Sequence, residues 1–292
     1  CGGFAQTERF EQIREHCTAI ILAGNADTAS TDKVMIIPLT IGSRPVGFVY
    51  IETSLPLTAS DRNLIHVLAQ QCSSALENKR LHLEVQESFD HAIDMLAEVA
   101  EFKDKNTGGH ISRIDNYTRT VALELGVPPE EAQLWGKASR LHDVGKIGVP
   151  DALLQKPGKL TPEEFSEVSK HTHIGATILD QDKFMEIARE VAYSHHERWD
   201  GSGYPEGRKS RELSLLTRIV SVVDVFDALM SPRPYKEPWS IENAVAEIER
   251  GAGSQFDPTV VEAFLNILRR GGFDEHIASS RSGTNLRTGD PT

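Results

Sequence analysis

Between Lys33 and Glu52 the chain carries two β-rich apolar runs, Val34 to Leu39 and Val46 to Ile51, separated by a turn from Ile41 through Gly42 and Ser43 to Pro45. Short apolar runs on either side of Gly, Ser and Pro predict a hairpin. Ala19 to Ala23 is another short apolar patch, of a length that fits a core strand. After Pro56 the period changes. Thr58 is placed to cap a helix whose apolar residues Leu64, Ile65, Leu68, Cys72, Ala75 and Leu76 recur at helical spacing. No helix breaker interrupts the stretch from Leu64 to Phe102, so one continuous helix or two stacked ones are expected. Ile65, Leu68, Cys72, Ala75, Phe89, Ile93, Leu96 and Ala100 step along it by threes and fours, but Lys79, His82 and Gln86 break the seam. That stripe suits a parallel dimer and a plain packed helix equally.

Beyond residue 102 the pattern predicts helix after helix, with strand signals nearly absent. Leu134, Ala138 and Leu141 mark a helix that ends at His142-Asp143, with Gly145 as its stop signal. Gly126 closes the helix before it, and Pro128, Pro129, Glu130 and Glu131 open it. Thr161-Pro162-Glu163-Glu164 reads as a capping box with Pro at the first helical position. Further helices are expected over Glu186–Ser194, Leu213–Met230, Ile241–Arg250 and Thr259–Arg269. The Ser, Gly, Arg and Thr-rich end from Arg281 to Thr292 reads as a disordered tail.

Composition adds bounds. At 292 residues the chain has room for two modest domains with their own cores. No apolar run approaches the roughly 18 to 20 residues needed to span a bilayer, and none looks like a secretory signal. A net charge of −12 argues against a nucleic-acid polymer as partner, since polyanion binding needs clustered Lys and Arg. A small phosphorylated ligand needs only a local positive site. Cys1, Cys17 and Cys72 make neither a disulfide framework nor a zinc motif, which predicts reduced cysteines and a cytoplasmic protein.

The candidate chemistry is a set of imidazoles and carboxylates. Isolated histidines are most often surface or capped core residues, and His16, His66, His82, His91 and His276 are read so. His142 and Asp143 stand side by side at a helix end, where Asp143 is either a ligand or a cap of the next turn. His195 and His196 end a second helix and fan about 100° apart, so both can reach one cluster. His171 is a further candidate, while His173 is turned about 200° from it on a helix and is set aside. Asp224 lies among Ile219, Val220, Val222, Val223, Val225 and Phe226, where an unpaired carboxylate would cost several kcal/mol. A metal ion would satisfy it, as would Arg218 or a hydrogen-bond network, and Asp227 three residues on leaves the choice open. Neutral imidazole suits first-row transition metals, and a carboxylate can bridge two of them, the arrangement used for displacement at phosphorus.

These elements together resemble the HD-GYP family of cyclic-dinucleotide phosphodiesterases over about residues 88–270. The resemblance is carried by Thr107-Gly108-Gly109-His110, His142-Asp143-Val144-Gly145-Lys146, Lys170-His171, His195-His196-Glu197 running through Asp200-Gly201-Ser202-Gly203-Tyr204-Pro205, Arg218-Ile219, Asp224 to Leu229, and Arg233-Pro234-Tyr235-Lys236. It implies an all-α HD-type domain holding two divalent transition-metal ions, iron or manganese. His110, His142, Asp143, His171, His195, His196 and Asp224 would be the metal ligands, with Asp143 bridging. Lys146 would contact the scissile phosphate or the attacking water. Arg233 and Lys236 would grip substrate phosphates, and Tyr204 would contact substrate from a Gly203-Tyr204-Pro205 lip that also meets GGDEF-domain proteins. Asn106 stands where three-metal members carry a glutamate, which implies two metals here. The implied reaction is hydrolysis of cyclic di-GMP to pGpG, and on to GMP in a second round, by attack of metal-activated water on phosphorus.

Residues 1–80 resemble, more weakly, the last part of a GAF-like sensory domain. The expected organisation is therefore α+β overall: a small α/β GAF-like regulatory module over 1–80, a linker helix over 81–102, a catalytic domain over 103–275 and a tail over 276–292. A second copy of the chain could pair along the linker helix. Two other readings remain: a phosphodiesterase preferring cyclic GMP-AMP, and a non-catalytic module that senses cyclic di-GMP or docks a partner through the Gly203-Tyr204-Pro205 lip.

Overall fold

A computed structural model describes residues 3–23, 30–104, 109–179, 183–231 and 238–273. The chain divides between Phe89 and Asp90 into two units.

In the first unit, Gly3–Leu22 forms helix α1, and the apolar patch from Ala19 lies at its end and not in a strand. The patch continues a run of Glu, Gln and Arg with no breaker before Gly24, so helix propagates into it. Val34–Ile41 (β1) and Arg44–Glu52 (β2) form the expected antiparallel hairpin, from the pair Val34 and Glu52 to Ile41 and Arg44, with a slip at Leu39 and Thr40. Gly42 turns the chain with φ 57°. Met35 and Ile37, two residues apart on one face, pack against Ala69 with Ile65 beside it. Both latter residues belong to helix α2, Ala59–Asp104, the continuous helix that the absence of breakers predicts. Thr58 and Asp61 cap its start reciprocally, Thr58 Oγ1 accepting from the Asp61 amide at 3.2 Å and Asp61 Oδ2 from the Thr58 amide at 2.8 Å.

The predicted apolar stripe at the start of α2 is only partly used. Leu64, Leu68 and Leu76 are 59%, 55% and 43% exposed, and Cys72 is exposed as well. Two strands are narrow and cover one line of a helix, here Ile65, Ala69 and then Ser73, whose hydroxyl accepts the Thr40 amide at 3.1 Å. In the part of α2 that belongs to the second unit, Ile93, Ala97 and Ala100 are buried, and Leu96 is turned outward.

The rest of the second unit is helical: α3 His110–Glu124, α4 Pro129–Ser139, α5 Pro162–Ser169, α6 His171–Ile178, α7 Lys183–Ser194, α8 Leu215–Met230, α9 Ile241–Gly251 and α10 Pro258–Arg269. Among its described residues the sole strand-like pairing is a bridge from Ala252 to Phe256. Local sequence sets the starts. Pro129 is in the first turn of α4, Thr161 and Glu164 close the capping box of α5, and the hydroxyl of Ser214 accepts the Thr217 amide at 3.1 Å to start α8. The core joins α3, α8, α9 and α10 through Ile114, Tyr117, Val121, Ile219, Val223, Phe226, Ile248, Phe264 and Phe273. Tyr117 meets Phe273 and Phe226 edge-on at 4.6 and 6.0 Å between ring centres, and Phe226 meets Phe264 at 4.9 Å. Such pairs add about 0.5–1.5 kcal/mol each beyond their burial, and they clamp α3 to α8.

The segment carrying His142 and Asp143 departs from expectation. Helix α4 ends at Ser139, and a 3-10 turn, Val144–Gly148, follows the pair. Gly145 is a close-contact glycine, since a Cβ there would lie 1.8 Å from the His171 carbonyl oxygen and 2.4 Å from the Gly175 amide. The bare backbone lets the turn press onto the start of α6. Lys103 holds the other side, its ammonium donating to the carbonyls of Ile147 and Val149 at 2.7 and 3.0 Å.

Candidate metal centre

Five imidazoles and two carboxylates from five segments meet in the second unit. His110 opens α3, His142 and Asp143 precede the 3-10 turn, His171 opens α6, His195 and His196 follow α7, and Asp224 lies in α8. Their ligand atoms fall into two groups, each within 4.8 Å: Asp143, His171, His195 and His196, and His110, His142 and Asp224. Asp143 faces both. Its Oδ1 is 3.5 Å from His171 Nε2 and 3.7 Å from His195 Nε2, and its Oδ2 is 3.2 Å from His142 Nε2. Asp224 Oδ1 lies 3.8 Å from both His110 Nε2 and His142 Nε2.

The backbone aims these rings. Nδ1 of His142, His171 and His195 lies 2.9, 2.8 and 3.0 Å from the carbonyl oxygens of Ser139, Val168 and Val191, three or four residues upstream in each case. A ring that donates Nδ1–H to a carbonyl keeps its lone pair on Nε2. All three Nε2 atoms, and Asp143 Oδ1, are shut off from solvent and make no hydrogen bond. A buried polar atom left unsatisfied costs about 1–3 kcal/mol, and four at one point are explained together by cations between them. The donor set of imidazole nitrogen and carboxylate oxygen fits divalent transition metals.

His110 is oriented differently. Its Nδ1 is 2.7 Å from Asp227 Oδ2, and Asp227 also accepts from Arg113 Nε at 2.5 Å and from its terminal nitrogen at 3.0 Å. Asp227 and Arg113 are both buried, and burial that would raise the Asp227 carboxyl is outweighed by His110 and Arg113, which hold it at about 2. Asp227 thus supports the His110 ring, a role that sequence reasoning left open. The signal was present as two matched spacings, His110 with Arg113 and Asp224 with Asp227, each three residues apart on facing helices. The alternative partner for Asp224 is engaged elsewhere: Arg218 donates to Asp257 Oδ2 at 2.5 Å and lies over the Trp199 ring. Asp224 itself is 22% exposed, at the edge of the apolar face and not beneath it.

Lys146 Nζ is 2.8 Å from Asp143 Oδ2. Tyr204 stacks on His196, 4.8 Å between ring centres at 28°, and meets Phe165 edge-on at 5.5 Å. A cavity of about 310 Å³ opens beside these rings, with His195, His196 and Asp224 on its wall. A larger groove of about 810 Å³ at Trp135, Tyr193 and Arg208 contains His173 but none of the seven residues, so size alone does not mark the chemistry here. Arg233, Lys236 and Asn106 lie outside the described residues.

Electrostatics divide these side chains. Burial pulls His142 down, but the negative charge of Asp143 beside it, with Asp224 behind, pushes it up to about 9. Burial brings His171 down to about 4 and His196 well below the usual imidazole range. Burial would raise Asp143, yet Lys146 and His142 hold it well below the usual carboxylate range. The raised His142 stabilises the fold below its unfolded value of 6.5, and that contribution is lost as pH rises through about 9. For His171 the unfolded chain takes up the proton first, so stability falls as pH drops from 6.5 toward 4. Chelated protein is therefore expected to be most stable near pH 6.5, losing up to about 3 kcal/mol on either flank. Urea unfolding at pH 5, 6.5 and 9 in a chelator checks this; a flat profile would contradict the arrangement.

A family model described as an HD domain matches residues 94–260. The chain belongs to the HD domain family, in its HD-GYP type. Over 276 residues this HD-GYP chain is 35% identical to a probable cyclic di-GMP phosphodiesterase of Vibrio cholerae serotype O1, an alignment covering 86% of this chain and 61% of that protein. It is 41% identical over 225 residues to a cyclic di-GMP phosphodiesterase of Thermotoga maritima, covering 73% and 61%. With a 3'3'-cGAMP-specific phosphodiesterase 2 of V. cholerae it shares 36% over 232 residues, covering 79% and 44%. The chain thus spans 44% to 61% of the length of these relatives. No helix of the described residues is long and apolar enough to cross a membrane.

Proposed function

We propose that this chain hydrolyses cyclic di-GMP to linear pGpG, and further to GMP in a second round, using two divalent transition metals, iron or manganese. The observation that carries the reading is the cluster of four solvent-excluded, unbonded ligand atoms, His142 Nε2, His171 Nε2, His195 Nε2 and Asp143 Oδ1, aimed at shared points by backbone-anchored rings. Asp143, His171, His195 and His196 would hold one ion, His110, His142 and Asp224 the other, and the two oxygens of Asp143 would span them. Bound there, the metals supply Lewis acidity toward phosphoryl oxygens and a nucleophile from water at neutral pH.

The chain's own residues do the rest. Asp143 sets the spacing. Lys146, beside it, offers fixed positive charge where charge develops on the phosphoryl oxygens, as a preorganised donor does. Tyr204 shields His196 and forms one wall of the 310 Å³ cavity, which receives part of the substrate. Arg233 and Lys236 would hold its phosphates, a role that rests on the family resemblance. The same resemblance supports contact of the Gly203-Tyr204-Pro205 lip with GGDEF-domain proteins, the weaker likeness of residues 1–80 supports a GAF-like regulatory unit, the apolar stripe of α2 supports pairing of two copies, and the unpaired cysteines support a cytoplasmic setting.

A second reading, preference for cyclic GMP-AMP, is favoured by the relative of that name at 36% identity. Anaerobically purified protein, analysed for metal and incubated with each dinucleotide, separates the readings. Two metals per chain and conversion of cyclic di-GMP to pGpG are expected. Binding of cyclic di-GMP by the metal-loaded protein without cleavage of either nucleotide would make it a sensor.

A further inference from the structure

Glu197, next to His195 and His196, is a buried carboxylate with no place in the metal cluster: it is 2% exposed, and it lies in neither group of ligands. Its Oε1 accepts two backbone amides from across the loop that follows, Glu206 at 2.8 Å and Gly207 at 3.0 Å. Its Oε2 is shut off from solvent without a hydrogen bond. The same short stretch takes the loop at two more points. Gly203 sits where a Cβ would come within 2.4 to 2.6 Å of the Arg198 amide, the His196 carbonyl and the Glu197 Cα, and the Tyr204 amide donates to the His196 carbonyl at 3.3 Å. The early part of the loop is held separately, Ser202 receiving Arg198 Nε at 2.9 Å and donating to Asp200.

We propose that Glu197 is a positioning residue that clamps the exit of the 200–207 loop, and so holds Tyr204 and Pro205 over the His196 edge of the cavity. Tyr204 and Pro205 lie between two fixed points, Gly203 on the backbone of residues 196–198 and Glu206 on the Glu197 carboxylate. Because both points belong to the segment that also carries His195 and His196, the lip and the imidazoles keep one register. A loop released at its exit would leave the His195 ring in place, since Val191 and not the loop anchors it. Substrate capture would weaken while the metal site persisted.

The substrate part of this rests on the phosphodiesterase reading, and the clamp itself does not. Hydrogen exchange at the Glu206 and Gly207 amides therefore decides the clamp without any turnover. In Glu197→Ala both amides are expected to exchange about tenfold faster or more, the scale of one lost charge-assisted hydrogen bond. Glu197→Gln retains a carbonyl for both amides and puts its NH2 at the unpartnered position, so exchange should stay within about threefold of the parent. Glu197→Asp falls short by about 1.5 Å and should behave like the alanine variant, which keeps the test open if alanine does not fold. With cyclic di-GMP, KM should rise about tenfold in Glu197→Ala and recover in Glu197→Gln, while kcat and metal content stay within about threefold. Unchanged exchange in the alanine and aspartate variants would overturn the clamp. Loss of metal with unaltered KM would overturn the positioning role and make Glu197 a support of the histidines. If the parent cleaves neither dinucleotide, the function proposed above fails, and the exchange result still stands or falls alone.

Discussion

Asp143→Ala is expected to leave a folded protein that retains neither metal nor turnover. Asp143 contributes an oxygen toward each group of imidazoles, so its removal deprives both positions of their shared anion at once. Turnover of cyclic di-GMP, the proposed activity, should fall by about 1,000-fold or more, the consequence of losing several kcal/mol of transition-state stabilisation. Metal content after gel filtration should drop from the proposed two per chain to near zero. Fold is not at stake in the same way, because the lost side chain is 19% exposed and the backbone turn is held by Gly145 and Lys103. Circular dichroism separates the two effects. An active Asp143→Ala protein without bound metal would remove the bridging role and the mechanism built on it.

The other large effect is expected at Asp227, which touches no candidate metal position. Asp227→Ala leaves the Arg113 guanidinium, 4% exposed, without its carboxylate, and leaves His110 Nδ1 without the partner that fixes its ring. Breaking a buried ion pair from one side costs about 3–5 kcal/mol. Removing the support of a metal-binding histidine lowers affinity about 10- to 100-fold. Asp227→Asn keeps an acceptor for His110 but no charge for Arg113, so it should retain more metal affinity than stability. Urea unfolding in a chelator reads the first quantity and competitive manganese titration the second. Parent-like metal affinity in Asp227→Ala would show that His110 does not depend on this contact.

Much of the local structure was legible in the residues. The hairpin, the absence of breakers along α2, the capping box at Thr161 and the helix pattern of the second unit are properties of spacing and of single residue types, which act over one or two turns. Where the structure departs from these patterns, the cause is a partner elsewhere in the chain. Leu64, Leu68 and Leu76 follow the helical period as well as Ile65 does, and the width of a two-stranded sheet decides which of them is covered. Gly145 resembles a helix stop, yet its bareness serves a contact with His171 from a separate helix.

The sequence by itself determined the inventory of the site: which histidines and aspartates stand in motifs, that His173 faces away, and that Asp224 needs a cation or a partner. Only the tertiary structure decided how they are sorted. That Arg218 goes to Asp257, that Asp227 serves His110, and that the two oxygens of Asp143 look toward different imidazoles are facts about side chains brought together from distant segments. Periodicity reports what one element needs to bury. It carries no information about which of several chemically equal partners will arrive to meet it, because that choice is made by packing over the whole unit.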